Sequence, residues 1–188
     1  MLYISLHICF RQLEKNCLNK MKKIIVLTLL YLLSNNTFSQ TAWSDQTRVL
    51  PDKLRNIETG IRLEHSPSPN YPEMNVNKTE DALYVWQHST FVTALNQNLE
   101  VVEAGSFIWY SAEGWKENIK YNKEDFTKSF SCKNGLLQKG KVFTFKKNYR
   151  YANNLFAGDA LWFVIARDKN GKLFKGVGLI ETEKELKK

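Results

Sequence analysis

The residues with the widest chemical reach are His65, His88, Cys132 and Met74. Imidazole, thiolate and thioether are the donors a soft copper site uses. Their spacing argues against one shared site, because Cys132 has no His or Met near it in the sequence. No paired Cys or His spacing resembles a structural zinc site. His65 and His88 remain the residues on which a small metal-binding protein or enzyme would have to rest. The bland alternative makes His88 a strand residue beside Trp86, and His65 a loop-edge residue.

Nucleophilic catalysis needs a Ser or Cys within reach of a His that a third group orients. His88 and Ser89 are neighbours, but adjacent strand residues point to opposite faces. Carboxylates at Glu100, Glu103, Glu113 and Asp159 could supply a glycosidase pair. Acids at strand ends are commonplace, so solvation is the simpler account of them. Gly176-Val177-Gly178 lies inside an apolar run with no helix to follow, which rules out a phosphate loop. No cofactor is expected.

Aromatic residues offer a different chemistry. Phe107, Trp109, Tyr110, Trp115, Tyr121, Tyr149 and Tyr151 are concentrated in the middle of the chain. Trp and Tyr combine a flat apolar face with a polar edge, which suits recognition, including the stacking of sugar rings. Most such rings belong in a core. The exceptions should lie beside turns, where loops are free to vary. Trp115 follows Gly114, and Tyr149 and Tyr151 flank Arg150 in a segment without a strand pattern. Trp115, Tyr149, Arg150 and Tyr151 are therefore the expected ligand-binding residues. They should lie nearer the surface than Trp162 or Phe163.

Strands must position these residues. Ala82 to Leu95 and Leu99 to Tyr110 are rich in β-branched and aromatic residues, and Asn96-Gln97-Asn98 between them is a turn signal, so a hairpin is expected, with a break at Gly105. Trp115 to Tyr121 and Lys141 to Phe145 read as further strands; Lys123 to Ser129 is ambiguous. Ala160 to Ala166 is apolar on both faces, as in a strand covered on both sides. Asp168-Lys169-Asn170-Gly171 should turn it into a partner strand, Lys172 to Thr182. Gly176 and Gly178 leave one face of that partner bare, and an aromatic such as Trp162 is expected over it. All four prolines fall between Pro51 and Pro72. Residues 40–80 therefore read as irregular, with a short helix near Asp52 to Glu58 and a strand near Ile61 to Glu64. The pattern predicts an all-β core over 81–183, an antiparallel β-sandwich or small open barrel, and a charged, solvated tail over 184–188.

Composition agrees. Apolar residues make up 43% of the 188 and aromatics 13%, enough for a core. The net charge of +8 is inflated by residues 1–39, which hold five basic residues and one acid. The rest carries too modest a positive balance for nucleic acid, which needs a dense basic face. Met21-Lys22-Lys23, the apolar stretch Ile24 to Leu33 and the small residues Thr37 and Ser39 form a signal-peptide pattern with cleavage expected before Gln40. Translation is expected to start at Met21. The apolar stretch is too short to span a membrane, and no transmembrane span is expected after signal removal. The expected protein is periplasmic or secreted, a binding module for a carbohydrate or a protein partner.

Overall fold

The computed structural model describes residues 48–77 and 80–187. The signal peptide, its cleavage point and the start at Met21 lie outside these residues. The described chain is mostly strand. A short helix α1 (Asp52–Arg55) leads into β1 (Glu58–Thr59), β2 (Ile61–Ser66), β3 (Pro72–Met74), β4 (Tyr84–Trp86), β5 (Ser89–Ala94), β6 (Leu99–Tyr110) and β7 (Gly114–Tyr121). Helix α2 (Lys123–Phe130) is followed by β8 (Leu136–Leu137), β9 (Val142–Phe145), β10 (Arg150–Ala152), β11 (Gly158–Arg167) and β12 (Leu173–Thr182).

Three sheets result. The largest runs β1-β12-β11-β6-β7, with β8 on the end of β6; the others are β2-β5-β9 and β10-β4-β3. Between the named strands all pairings are antiparallel except the two-residue β1 on β12; the isolated bridges Asn70↔Thr182 and Ala94↔Lys139 are also parallel. The hairpin expected at the C-terminal end forms over its full length: β11 and β12 pair from Gly158↔Thr182 to Arg167↔Leu173. Gly171 closes its turn at φ 82°, a conformation that costs glycine little. As the alternation of β11 requires, its two faces enter two cores. Trp162, Val164 and Ala166 pack with Ile61, Leu63, Val92, Leu99, Val101 and Phe174 against the β2-β5-β9 sheet. Leu161, Phe163 and Ile165 pack with Leu54 and Phe107 on the opposite side. The Lys175 ammonium fastens the α1 segment over this second core by donating to the Leu54 and Ile57 carbonyls, at 2.7 and 2.6 Å.

Several expectations need correction. Ala82 to Leu95 is two strands in two sheets, with His88 in the corner between them. The expected hairpin of this run with Leu99 to Tyr110 does not form. β5 pairs β2 and β9, whereas β6 pairs β11, β7 and β8. Asn96 to Asn98 turns a corner between sheets instead. Gly105 does not break β6; it pairs with Lys120, beside the bulge at which Asn118 of β7 is left unpaired between the Ser106↔Ile119 and Phe107↔Glu117 pairs. A Cβ on Gly105 would lie 2.1 Å from the Ile119 carbonyl oxygen, so only glycine fits beside the bulge.

The bare face at Gly176 and Gly178 is covered by a strand, not by an aromatic ring. A Cβ on Gly176 would lie 2.7 Å from Ile61, and one on Gly178 2.7 Å from the Leu63 carbonyl oxygen. The two glycines let β2 cross β12 at backbone contact. The strand expected near Ile61 to Glu64 thus forms as β2 (Ile61–Ser66) and belongs to the core, and Pro72 opens β3 at a strand's first residue, where its missing N–H is tolerated. Lys123 to Phe130 is a helix with a complete capping box: Asn122 accepts from the Asp125 N–H at 2.9 Å, and Asp125 accepts from the Asn122 N–H at 3.3 Å. The side chains of residues 184–187 are exposed, as expected of a solvated tail, while backbone bonds tether it. Glu183 N–H donates to the Asn70 carbonyl, Lys187 N–H donates to the Pro72 carbonyl, and Trp86 Nε1 donates to the Glu183 carbonyl.

Candidate functional site

The small sheet β10-β4-β3 presents a groove of about 440 Å³. Its register sets Glu73, Val85 and Tyr151 side by side across the three strands. Residues two positions along each strand share that face, and Asn75, Gln87 and Tyr149 line the groove with them. The Tyr149 and Tyr151 rings meet edge to face, with centroids 6.4 Å apart. Met74 and Val76 are exposed at the rim, and Lys147 and Glu80 bring opposite charges to it. The Asn75 amide group shapes the rim loop. Its Nδ2 donates to the Glu80 and Ala82 carbonyls at 3.2 and 2.9 Å, and its Oδ1 accepts from the Asn77 N–H. Glu73 carries an ion pair with Lys187 at 2.6 Å.

The four residues expected to bind a ligand do not form one site. Tyr149 and Tyr151 share the groove. Arg150 lies between them in sequence and so faces the other side of the sheet. Its guanidinium sits 4.1 Å over the Phe156 ring, which stacks on Trp86 at 4.3 Å. Burial there lowers the Arg150 pKa, with Tyr110 opposing the shift. Trp115 belongs to a second, more apolar groove of about 560 Å³, lined by Val49, Leu50, Pro51, Phe107 and Trp109 among others. Trp109 and Trp115 are cross-strand partners whose rings meet edge to face at 5.1 Å. The Arg48 guanidinium lies 4.9 Å from the Trp109 ring and forms a salt bridge with Asp159. All four residues are more exposed than Trp162 and Phe163, which are 5% and 0% exposed.

Sequence reasoning did not anticipate the polar cluster behind the groove. His65 pairs with Thr90 across β2 and β5, so His88, two residues before Thr90, shares its inward face. The two imidazoles lie 5.5 Å apart, and His65 lies 6.1 Å from the Trp162 ring. Asn148 Nδ2 donates to Thr90 Oγ1 at 2.8 Å, which leaves the Thr90 hydroxyl proton for His65 Nδ1 at 3.0 Å. Asn70 Nδ2 donates to His88 Nδ1 at 3.3 Å. With both Nδ1 atoms accepting, each neutral ring carries its proton on Nε2. Both Nε2 atoms are sealed from solvent without a well-formed partner. Burial drives the His65 pKa down to about 3; His88 beside it lowers it further, and the Gly178 backbone opposes the shift. Burial alone takes His88 down to about 4. The pair supplies two nitrogens, and among the described residues no group of three His, Cys, Asp or Glu is placed to hold a metal ion. Cys132 lies apart, fully buried, with its thiol donating to the Leu136 carbonyl at 3.1 Å and its pKa pushed up to about 11 by burial. A thiol so protonated is a poor nucleophile and metal ligand.

Among the described residues, no helix is long and apolar enough to cross a membrane. No family model matches the chain, and no curated protein or solved structure matches it either.

Proposed function

We propose that this chain is an exported, non-catalytic binding module whose ligand is a carbohydrate held in the groove of the small sheet. The observation that carries this is the Tyr149–Tyr151 ring pair set among planar polar side chains. A sugar ring has an apolar C–H face and a rim of hydroxyls. The face stacks on an aromatic ring, while the hydroxyls need amides, carboxylates and ammonium groups at fixed positions. Gln87, Asn77, Glu73 and Lys147 provide that mixture around the two tyrosines. The Trp109–Trp115 groove has no amide side chain in its lining, and its charged groups are already paired, Asp52 with Arg55 and Lys53 with Glu103 and Glu117. There the rings are already engaged by the Arg48 guanidinium and walled by Val49, Leu50 and Pro51. A protein partner would find fewer anchors on the small sheet, since its fully buried ring, Trp86, faces inward.

The test is a panel of immobilised oligosaccharides at pH 7, followed by calorimetry on any that bind. Tyr149→Ala and Tyr151→Ala should each weaken binding at least about tenfold, in line with losing a stacked ring worth over 1.4 kcal/mol. Their melting temperatures should stay close to the parent's. Binding to no member of the panel, or binding unchanged in both variants, would remove the basis for a carbohydrate ligand.

A further inference from the structure

We propose that His88 is an acid-sensitive latch for this groove: protonation at its Nδ1 breaks the hydrogen bond from Asn70 and frees the segments that carry both walls. The geometry makes His88 the shared support of those walls. Asn70 Nδ2 donates to the ring, and Asn70 stands two residues before β3, which carries Glu73 and Met74. Asn148 N–H donates to the His88 carbonyl at 3.1 Å, and Tyr149 is the next residue. Gln87, a third wall residue, precedes His88 directly.

The protonation chemistry separates the two histidines. A neutral ring with its proton on Nε2 can take a second proton only at Nδ1. At His88 the new N–H would face the amide N–H of Asn70, donor against donor, and relief requires the whole Asn70 amide to turn over within its buried site. At His65 the Thr90 hydroxyl can rotate to accept from the new N–H, so the local network survives there. A positive charge on either ring also opposes one on the other at 5.5 Å.

The groups around the pair offer no compensating carboxylate. On β2, Glu64 and Arg62 lie on the alternate face from His65, paired with each other. On β11 the neighbour is Trp162, with the Tyr121 phenol side beyond it, and on β12 it is the Gly178 backbone. Glu181 and Glu183 meet the Asn70 backbone through their own main-chain groups. Glu73 is held by Lys187. Among the described residues, no acid is hydrogen-bonded or ion-paired to either imidazole.

The consequence for a ligand, release in acid, rests on the groove being the binding surface; the structural step does not. Hydrogen–deuterium exchange of the whole protein tests that step without any ligand. Rates at pH 7 and pH 4.5, corrected for intrinsic exchange, should rise at least about tenfold in residues 70–76 and 146–152. Residues 99–110 and 158–167 should keep their protection. His88→Gln, whose amide oxygen can still accept from Asn70 but does not titrate, should abolish the acid response. Should that variant not fold, imidazole nitrogen shifts of the parent protein report whether His88 takes its proton at Nδ1 as those segments open. The latch is overturned if both segments stay protected at pH 4.5, if the large sheet opens with them, if His88→Gln opens equally, or if His88 stays neutral while they open. A failed oligosaccharide panel with a positive exchange result would leave the latch standing and remove only the carbohydrate.

Discussion

The Trp109–Trp115 face and the Tyr149–Tyr151 face look alike in sequence: two aromatic rings a few residues apart with a basic residue, Lys116 or Arg150, beside one of them. In the fold they differ in what lies over them. The tryptophans lie on the face where Leu50, α1 and Ile57 close over Phe107 and Phe163, and Arg48 stacks on them from the same segment. The tyrosines lie on a short three-stranded sheet whose own arginine points away. A ring pair covered by its own chain contributes to stability, whereas one left open beside amides and carboxylates can hold a guest. Sequence locates the rings, and only the path of the covering segment assigns them.

The sharpest way to break this contrast begins with the ring that should matter most to the fold. Trp162 is 5% exposed and packs between His65 and Tyr121. Trp162→Ala should cost about 3–5 kcal/mol, read by denaturant unfolding. A loss under about 1 kcal/mol would mean that the face of β11 toward the β2-β5-β9 sheet is not a core.

The histidine pair comes next, and the sign can be worked out. Unfolded histidines take protons near pH 6.5; in the fold they resist until about pH 4 for His88 and about pH 3 for His65. Above pH 6.5 both states are neutral here and stability is complete. As pH falls below 6.5 the unfolded chain binds protons that the fold refuses, so stability is lost progressively down to the folded values. At pH 5 the loss is about 2 kcal/mol per histidine, at 1.36 kcal/mol per unit. Urea unfolding at pH 7 and pH 5 measures it. A His65→Gln, His88→Gln double variant should flatten the slope over that window, where carboxylates contribute little. An unchanged slope would mean that the rings are solvated.

The two aromatic faces should then separate directly. Trp115→Ala removes a half-buried ring from a packed pair and should cost about 2 kcal/mol. Tyr149→Ala should cost under about 1 kcal/mol, as at a surface site. Equal costs in thermal or chemical melts would erase the distinction between the faces.

How much of this was legible in the sequence follows from which interactions are local. The β11–β12 hairpin was readable because both strands and their turn are contiguous, and alternation alone sorted Trp162 from Phe163. The capping box at Asn122 was present in the sequence as Asn-x-x-Asp before an ambiguous run, and weighing it would have turned that run into a helix. The sheet switch between β5 and β6 was not readable, because β5 is held by β2 and β9 while β6 pairs the next strand, β7, and the distant β11 and β8. Gly176 and Gly178 did announce a close approach. What approached was β2, the strand expected near Ile61 to Glu64 within a segment that otherwise read as irregular. The His65–His88 cluster depends on β2 pairing with β5 and on two loop asparagines, contacts that span 18 to 58 residues. The one early clue was that His88 breaks a strand-like run between Trp86 and Thr90.

The smallest expected effect concerns Arg150, and it tests the alternation that divides the small sheet. Arg150 pairs with Trp86 and Pro72 across β10, β4 and β3, whereas Tyr151 pairs with Val85 and Glu73. Adjacent positions in a strand face opposite sides, so Arg150 and the tyrosines cannot contact one ligand while the register holds. The guanidinium instead covers Phe156, a contact worth about 0.5–1 kcal/mol where partly exposed. Arg150→Ala should therefore lower stability by about that amount, in contrast to the binding loss expected at its two neighbours. Affinity for any oligosaccharide that binds should stay within about twofold of the parent's, measured by calorimetry at pH 7, a change of about 0.4 kcal/mol. A tenfold loss in Arg150→Ala with Tyr149→Ala unaffected would put the recognition surface on the Phe156 side of the sheet. The comparison would then invert, with the tyrosines as packing and the arginine as the contact.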